Sequence, residues 1–267
     1  MNQPIEIPYI VGVLNLSPES FNNKTDVGRL LECANQMVTD GADILDIGAQ
    51  SSRPGIPQLS VGEEIVRLVG AIATLKREFP TVPISVDTTR SEVIRIALRE
   101  GVELINDISG GRFDENLLRE VARSGARYVL MHSQGTFDDM HKLYKYTDIV
   151  SEIKDYFRKR IDMCVVAGIQ RQKIILDPGI GFSKSGEQNL EILRRLNEFR
   201  ELKLPLYIGL SRKRFVGSII NEEKSELRDN ATTVLHTYCI QHGVEYIRTH
   251  NVKYLSEAVQ VLEKLSS

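Results

Sequence analysis

Eight apolar stretches of strand length recur along the 267 residues, and each leads into a segment with the spacing of an amphipathic helix. Most are too uniformly apolar for a strand with one face in water, which indicates a parallel sheet covered on both sides. They occupy residues 8–15, 43–49, 83–88, 103–109, 127–133, 173–179, 205–211 and 245–250. Eight βα units in one unbroken chain predict the α/β class and a closed (β/α)8 TIM barrel.

The segments between these strands support a single domain over residues 1–267. Several helix-like segments end in glycine, at Gly41, Gly101, Gly168 and Gly243, as expected at helix C-termini before the next strand. A doubly wound open sheet is the alternative, but the first strand is not followed by the glycine-rich turn that binds dinucleotides. No low-complexity block or Ser/Pro/Gly-rich linker divides the chain.

Composition narrows the function classes. The formal net charge of -2 gives no overall attraction to nucleic acid or to an anionic membrane, so any anion binding must be local. The three cysteines are far apart and form no CxxC pair, which argues against a disulfide framework or structural zinc. The N-terminus has no basic region with a cleavage site, and no run approaches ~18 apolar residues. We therefore expect a cytoplasmic protein.

Polar side chains gather where the predicted strands end. In a TIM barrel the active site lies at the carboxyl ends of the strands. The opposite ends of these strands carry mostly glycines and prolines. All eight strands end in candidate site residues, namely Asn15, Ser51–Arg53, Asp87, Asn106 with Asp107, His132, Asp177, Ser211–Lys213, and Arg248 with His250. One shared site is therefore predicted at this end of the barrel.

Two of these residues are acids deep in apolar strand ends, Asp87 and Asp177. An unpaired carboxylate is costly there, so each is expected to face a partner that donates protons. Asp177, Asn106 and Lys213 together suit a flat heterocycle with a guanidine-like edge, because a carboxylate accepts two parallel hydrogen bonds and an amide both donates and accepts. Arg248 can stack on such a ring and hold an anion.

A second group of residues favours phosphate. Arg53, Arg248 and His250 come from the ends of the second and eighth strands, and Asn15 follows the first. The last helix would begin nearby with free N–H groups. Asn15 offers a neutral oxygen to a hard cation such as Mg2+, which keeps most of its waters. These residues predict a diphosphate site beside the ring site.

The same residues lie in motifs that resemble those of dihydropteroate synthases, the pterin-using enzymes of folate synthesis. In the family's order from residue 10 to residue 252, the motifs read "GVLNLSPESF", "GADILDIGAQSSRPG", "ISVDTTR", "LINDISGG", "LMHSQGT", "ILDPGIGFSKSGEQNLEIL", "SRKRF" and "IRTHNV". The resemblance implies a transferase that joins 6-hydroxymethyl-7,8-dihydropterin diphosphate to p-aminobenzoate and releases diphosphate. It also implies competition by sulfonamides, which imitate p-aminobenzoate, and a homodimer that pairs through late helices.

Position by position, the resemblance implies three sets of contacts. The pterin ring would contact Asp87, Asn106, Asp177 and Lys213, with Arg248 beside it. The diphosphate and its Mg2+ would contact Asn15, Arg248 and His250. The p-aminobenzoate would contact Phe21, Ser52, Arg53, Pro54 and Ser211. The candidate catalytic residues are Asp87, Lys213 and Arg248, because they balance charge if the C–O bond to the diphosphate breaks before the amine attacks.

The first loop departs from the family pattern. It reads "PESFNNKT" where family members usually read close to "PDSFSDGG", so Glu19 and Asn23 replace two aspartates and Lys24 and Thr25 replace two glycines. If this loop closes over the reacting carbon, the lost acid affects the rate. Two alternatives stay open: a pterin-binding paralogue without synthase activity, and a methyl-transfer protein that holds methyltetrahydrofolate. The latter needs no diphosphate site, so "SSRPG", "SRKRF" and "RTH" argue against it.

Other polar residues fit structural roles. Asp46 and Asp107 are expected to bond to backbone or to a neighbouring strand, and Asp107 cannot face the barrel interior together with Asn106 because side chains alternate along a strand. His132 is either a pocket residue or a satisfied buried histidine. Five further residues are expected on loops or helix surfaces, in contact with solvent: His141, His236, His242, Arg212 and Arg214.

Overall fold

The computed structural model describes residues 6–16, 25–50, 57–140, 142 and 145–266, in which strands and helices alternate. The strands are β1 Tyr9–Asn15, β2 Ile44–Gly48, β3 Ile84–Asp87, β4 Leu104–Asp107, β5 Arg127–Met131, β6 Ile174–Asp177, β7 Tyr207–Ile208 and β8 Tyr246–Thr249. The helices are α1 Thr25–Thr39, α2 Val61–Glu78, α3 Ser91–Arg99, α4 Leu117–Ser124, α5 Ile149–Val166, α6 Gly186–Arg194, α7 Arg214–Ile220, α8 Asp229–Gln241 and α9 Val252–Ser266. Short 3-10 helices cover Arg171–Lys173, Leu196–Leu202 and Ser225–Arg228.

The strands form a nearly closed barrel. Neighbours pair in parallel in the order β6-β5-β4-β3-β2-β1-β8-β7. A bridge between Leu176 on β6 and Leu206 beside β7 joins the two ends of this sheet, and the Leu176 N–H donates to the Pro205 carbonyl at 2.8 Å. The predicted TIM barrel is confirmed. The seventh strand is shorter than predicted, since only Tyr207–Ile208 pair with β8.

The barrel interior explains where the site residues point. One buried cluster takes a single side chain from seven of the strands: Val11, Ile44, Leu104, Val129, Ile175, Tyr207 and Tyr246. The residues that alternate with them pack instead in the large core between barrel and helices. Because side chains alternate along a strand, positions two residues beyond this inner layer face the interior at the carboxyl end. Asp46, Asn106, Asp177 and Arg248 occupy such positions.

Stacked tyrosines close the opposite, amino end of the barrel. The rings of Tyr9 and Tyr246 stack with centroids 4.9 Å apart, and Tyr207 stacks on Tyr246 at 6.3 Å. Arg127 donates to the Tyr246 hydroxyl at 3.0 Å. None of the helices in the described ranges is long and apolar enough to cross a membrane.

Candidate active site

The carboxyl end of the barrel forms its mouth. At the centre of this mouth lies an ion-paired group contributed by four strands. Arg248 on β8 donates from Nε to Asp46 Oδ2 at 2.6 Å and from Nη2 to Asp87 Oδ2 at 3.0 Å. Asn106 on β4 donates from Nδ2 to the same Asp46 oxygen at 3.2 Å. The structure therefore brings Asp87, Asn106 and Arg248 together as predicted, but around Asp46, whose predicted bonds to backbone or to a neighbouring strand are wrong.

Burial dominates the electrostatics of this group. It raises the pKa of Asp87 to about 7; Arg248 opposes the rise, while the carboxylates of Asp46, Asp107 and Glu64 add to it. Burial alone would lower the pKa of Arg248, but Asp46 and Asp87 outweigh it, so the pKa is raised. The guanidinium therefore stays charged between two carboxylates, whereas the Asp87 carboxyl changes protonation near neutral pH.

The other half of the mouth lies at the ends of β6 and β7. Asp177 is buried, and its Oδ1 accepts the Gly179 N–H at 2.7 Å across Pro178, a turn that an Asp favours. The Lys213 ammonium donates to the Ile180 carbonyl. Burial raises the pKa of Asp177 and lowers the pKa of Lys213 to about 8, and in each case the opposite charge of the partner resists the shift.

The glycines of the "GIGF" turn allow this close approach. Gly181 has φ +83°, and a Cβ there would lie 2.7 Å from Lys213 Cδ. Gly179 has φ +69°, and a Cβ there would lie 2.0 Å from the His132 carbonyl oxygen. The Lys213 ammonium also lies 4.4 Å from the centroid of the Phe182 ring. The turn therefore holds the lysine against a flat surface.

A buried lysine that the sequence analysis did not single out supports the turn. Lys184 Nζ lies 3.0 Å from His132 Nδ1 and donates to the carbonyls of Gly179 and Phe182 at 3.0 and 2.9 Å. Burial lowers the pKa of Lys184 to about 7, against the attraction of Asp177. Burial, and to a lesser extent the positive charge of Lys184, holds the pKa of His132 well below its usual value. Of the two roles left open for His132, the buried, hydrogen-bonded one is confirmed.

The "SRK" turn is fixed to the end of β8. Ser211 Oγ accepts the His250 N–H at 3.2 Å and lies 3.0 Å from His250 Nδ1. Arg212 has a left-handed φ of +60° and pairs with both oxygens of Asp229, each at 2.7 Å. The Arg212 side chain is partly exposed, and this ion pair holds it over α8. The neighbouring Arg214 is exposed, as predicted.

The predicted phosphate and metal residues are only partly described. Asn15 is exposed at the carboxyl end of β1, where it pairs in register with Gly48. No cluster of three or more His, Cys, Asp or Glu side chains able to hold a metal occurs in the part of the chain that the structure describes. The predicted contacts Phe21, Ser52, Arg53 and Pro54 lie outside the described residues, as do Glu19, Asn23, Lys24 and His141.

Two other expectations have clear outcomes. Asp107 faces away from the barrel interior and accepts hydrogen bonds from the Tyr128 hydroxyl at 2.7 Å and the Ser109 N–H at 2.8 Å, so its structural role is confirmed. His236 was expected at a helix surface and is instead fully buried in α8, which makes that expectation wrong. His242 at the end of the same helix is partly exposed.

Comparison with known proteins agrees with this geometry. A family model described as "pterin binding enzyme" matches residues 11–250. The chain belongs to the pterin-binding enzyme family. It is 38% identical over 260 residues to the dihydropteroate synthase of Synechocystis sp., covering 96% of this chain and 90% of the relative.

Solved structures of the family share the fold. The Xanthomonas albilineans dihydropteroate synthase with 4-aminobenzoic acid has a TM-score of 0.91 and 33% identity, covering 98% of this chain and 94% of that one. The same enzyme in complex with 7,8-dihydropteroate has a TM-score of 0.87 and 31% identity, covering 99% and 96%. The resemblance that the motifs indicate is confirmed over nearly the whole chain.

Proposed function

We propose that this chain is a dihydropteroate synthase whose active site is the mouth described above. The reaction joins 6-hydroxymethyl-7,8-dihydropterin diphosphate to p-aminobenzoate and gives 7,8-dihydropteroate and diphosphate. The observation that carries the proposal is the convergence of Asp87, Asn106, Asp177, Lys213 and Arg248 at one end of the barrel. The family relationship supports the same reaction, since relatives over nearly the full length are dihydropteroate synthases.

The proposed ring site uses complementary hydrogen-bonding groups. A pterin carries a guanidine-like edge whose N–H groups suit the buried carboxylate of Asp177. Lys213 can donate to a ring acceptor from its place 4.4 Å from the Phe182 ring centroid. Arg248 keeps its planar guanidinium in place through two carboxylates, so its face is available for stacking on a flat ring.

The proposed chemistry is ionisation followed by amine attack. The C–O bond to the diphosphate breaks with its electron pair going to the leaving group, which makes the pterin methylene carbon cationic. The nitrogen of p-aminobenzoate then forms the new C–N bond and loses a proton. Carboxylates such as Asp87 stabilise the cationic pterin, because fixed charges in a dry site need little reorganisation. The arylamine is already neutral near pH 7, so no strong general base is needed.

The proposed diphosphate and Mg2+ site includes Asn15. Its amide oxygen is exposed at the end of β1, which suits a cation that takes one protein ligand and completes its shell with phosphate oxygens and water. Bound Mg2+ would neutralise charge that grows on the leaving diphosphate. His250 would lie on the same side, beside Ser211. Arg53, Ser52, Pro54 and Phe21 stay predicted contacts of the diphosphate and p-aminobenzoate.

We also propose a cytoplasmic homodimer that uses the face of α7 and α8. Large apolar side chains of α7, of α8 and of the 3-10 helix between them are 42–68% exposed: Ile219, Ile220, Leu227 and Val234. The three elements contact one another, and a contiguous exposed apolar patch on them would suit an interaction surface. Light scattering on the purified protein should give twice the chain mass of 30.1 kDa, and a monomer at micromolar concentration would contradict the dimer.

The experiment that tests the function is diphosphate release by purified protein supplied with the dihydropterin diphosphate, Mg2+ and p-aminobenzoate. Release that depends on the arylamine is expected, and Asp177→Asn should raise the pterin KM about 10- to 100-fold, since it removes a charged acceptor. Asn23→Asp should run faster if the first loop limits the rate. Pterin binding without turnover by the wild type, together with turnover by Asn23→Asp, would indicate the non-catalytic paralogue. Failure of both proteins to bind pterin would refute the proposal.

A further inference from the structure

Asp46 lies at the centre of the mouth and contacts two residues of the proposed pterin site. Its carboxylate is fully buried on β2, and a single oxygen, Oδ2, accepts both Arg248 Nε at 2.6 Å and Asn106 Nδ2 at 3.2 Å. The partners are 202 and 60 residues away along the chain. One acid therefore connects strands β2, β4 and β8 through side chains that face the substrate.

The contact with Asn106 decides how that amide is oriented. A carboxylate paired with a guanidinium only accepts hydrogen bonds, so the amide must turn its NH2 group toward Asp46. A flipped amide would set its oxygen against a buried carboxylate oxygen and lose the hydrogen bond. The acceptor Oδ1 of Asn106 and its second N–H then point away from Asp46, and the amide has a single orientation. Asp46 thus determines where the pterin ring meets an acceptor and where it meets a donor.

The contact with Arg248 works in the same way. Nε bonds to Asp46 and Nη2 bonds to Asp87, so two carboxylates on different strands hold the plane of the guanidinium. Without Asp46, only the hydrogen bond from Nη2 to Asp87 would remain, and the guanidinium could rotate about it. A planar cation stacks on a ring only when its plane is fixed.

Stability alone gives no reason for a carboxylate at this position. Asp46 Oδ1 is buried and has no hydrogen-bond partner among the described residues, and a buried ion pair such as Asp46–Arg248 is often no more stabilising than two packed apolar side chains. Ser85, which pairs with Asp46 in register on β3, is equally buried, and its Oγ also has no partner in the described ranges. The contrast between the two residues is that only the acid bonds to groups at the mouth.

We propose that Asp46 is a positioning residue of the pterin site. It fixes the orientation of the Asn106 amide and the plane of the Arg248 guanidinium. This inference rests on the proposed function. Asp46 also contributes to the charge around Asp87, whose carboxyl pairs with Arg248 and is influenced by the charges of Asp46, Asp107, Glu64 and Lys213. Asp46 raises the pKa of Asp87, so its loss should let Asp87 ionise at lower pH.

The first test compares Asp46→Asn with Ser85→Ala. Asp46→Asn should raise the KM for the pterin diphosphate about 10- to 100-fold and leave the KM for p-aminobenzoate within about twofold, because one charged hydrogen-bond acceptor is lost on the pterin side. Ser85→Ala, in the same barrel layer, should leave both values unchanged. The fall of activity at acid pH should move to lower pH in Asp46→Asn, as expected if Asp87 loses a neighbouring negative charge.

A second variant separates orientation from charge and folding. The exchange Asp46→Asn with Asn106→Asp keeps one amide, one carboxylate and the net charge, but reverses which strand carries each. It should fold, by circular dichroism and thermal unfolding, and still bind pterin poorly. Two results would overturn the proposal: a wild-type KM for the pterin diphosphate in the double variant, or a fall of activity at acid pH that is unchanged in Asp46→Asn. If the wild type shows no turnover, calorimetry with 6-hydroxymethylpterin compares the pterin affinities of the same variants. Failure of the proposed function can therefore be distinguished from failure of the positioning role.

Discussion

His236 should make the protein lose stability as the pH falls below about 6.5, the usual pKa of histidine. The ring is fully buried in α8, and neither nitrogen has a hydrogen-bond partner among the described residues. Burial lowers its pKa from 6.5 to about 3. The folded protein therefore keeps His236 neutral at pH 5, whereas the unfolded chain takes up a proton there. Stability is lost across the window between these two pKa values, from the upper one downward.

The size of the effect follows from proton linkage. Between its unfolded and folded pKa values, one such group changes the free energy of unfolding by about 1.4 kcal/mol per pH unit. At pH 5 the unfolded chain binds nearly one proton more than the folded protein, and integrated from pH 7 to pH 5 this amounts to about 2 kcal/mol of lost stability. His236→Leu removes this group, so the stability of the variant relative to the wild type should rise by about 2 kcal/mol over the same range.

Urea unfolding at pH 5, 6 and 7 measures the difference. Cys239→Val is the matched control: Cys239 is buried in the same helix, and burial raises the pKa of its thiol to about 12, so it stays protonated throughout. The stability of this control relative to the wild type should not change with pH. Equal pH dependence in His236→Leu and the wild type would show that His236 takes up a proton as readily in the folded state as in the unfolded chain, and the reasoning from burial would be refuted.

Two further predictions concern the turns that carry site residues. Gly181→Ala should raise the KM for the pterin diphosphate by about 10-fold or more, since the new Cβ would strain a left-handed residue and displace Lys213, whereas Gly186→Ala meets nothing within 4 Å and should leave the kinetics unchanged. Equal kinetics in the two variants would contradict the fit at Gly181. Asp229→Asn should raise the KM of both substrates about 5- to 20-fold, because it weakens the bidentate pair that holds Arg212 in a left-handed conformation. Unchanged steady-state kinetics would show that the turn keeps its shape without the ion pair.

The barrel and most of the mouth were predictable because they depend on local pattern. Uniformly apolar strands followed by amphipathic helices define the βα units, and the carboxyl end of a parallel strand is the end that leads into a helix. Side chains alternate between the two faces of a strand, so the strand alone shows that Asn106 and Asp107 point to opposite sides. Asp87, Asn106 and Arg248 accordingly meet where the strand ends predict.

The missed residues depend on contacts between distant segments. Asp46 and Arg248 are 202 residues apart, and nothing within "ILDIG" shows which partner the acid will find. Lys184 reads as a solvated lysine beside a helix start, yet four backbone and side-chain acceptors surround its ammonium. His236 lies in a helix that packs on α9, α7 and the 3-10 helix before it, so a polar residue in its sequence pattern does not indicate a solvent-facing side. In each case tertiary packing, rather than local propensity, decides the environment.

The charge balance of the mouth suits a reaction that makes a cationic pterin. Around Arg248 two carboxyl groups, of Asp46 and Asp87, face one guanidinium, so this group carries one more negative than positive charge when both acids are ionised. An excess negative charge in a dry interior is costly, and burial accordingly raises the pKa of Asp87 to about 7. Positive charge that develops on the bound ring removes this imbalance and is stabilised most when Asp87 is ionised. The group around Arg248 therefore suits a cationic pterin better than the neutral pterin ring of the diphosphate substrate, and we expect the rate to fall as the pH drops through the pKa of Asp87.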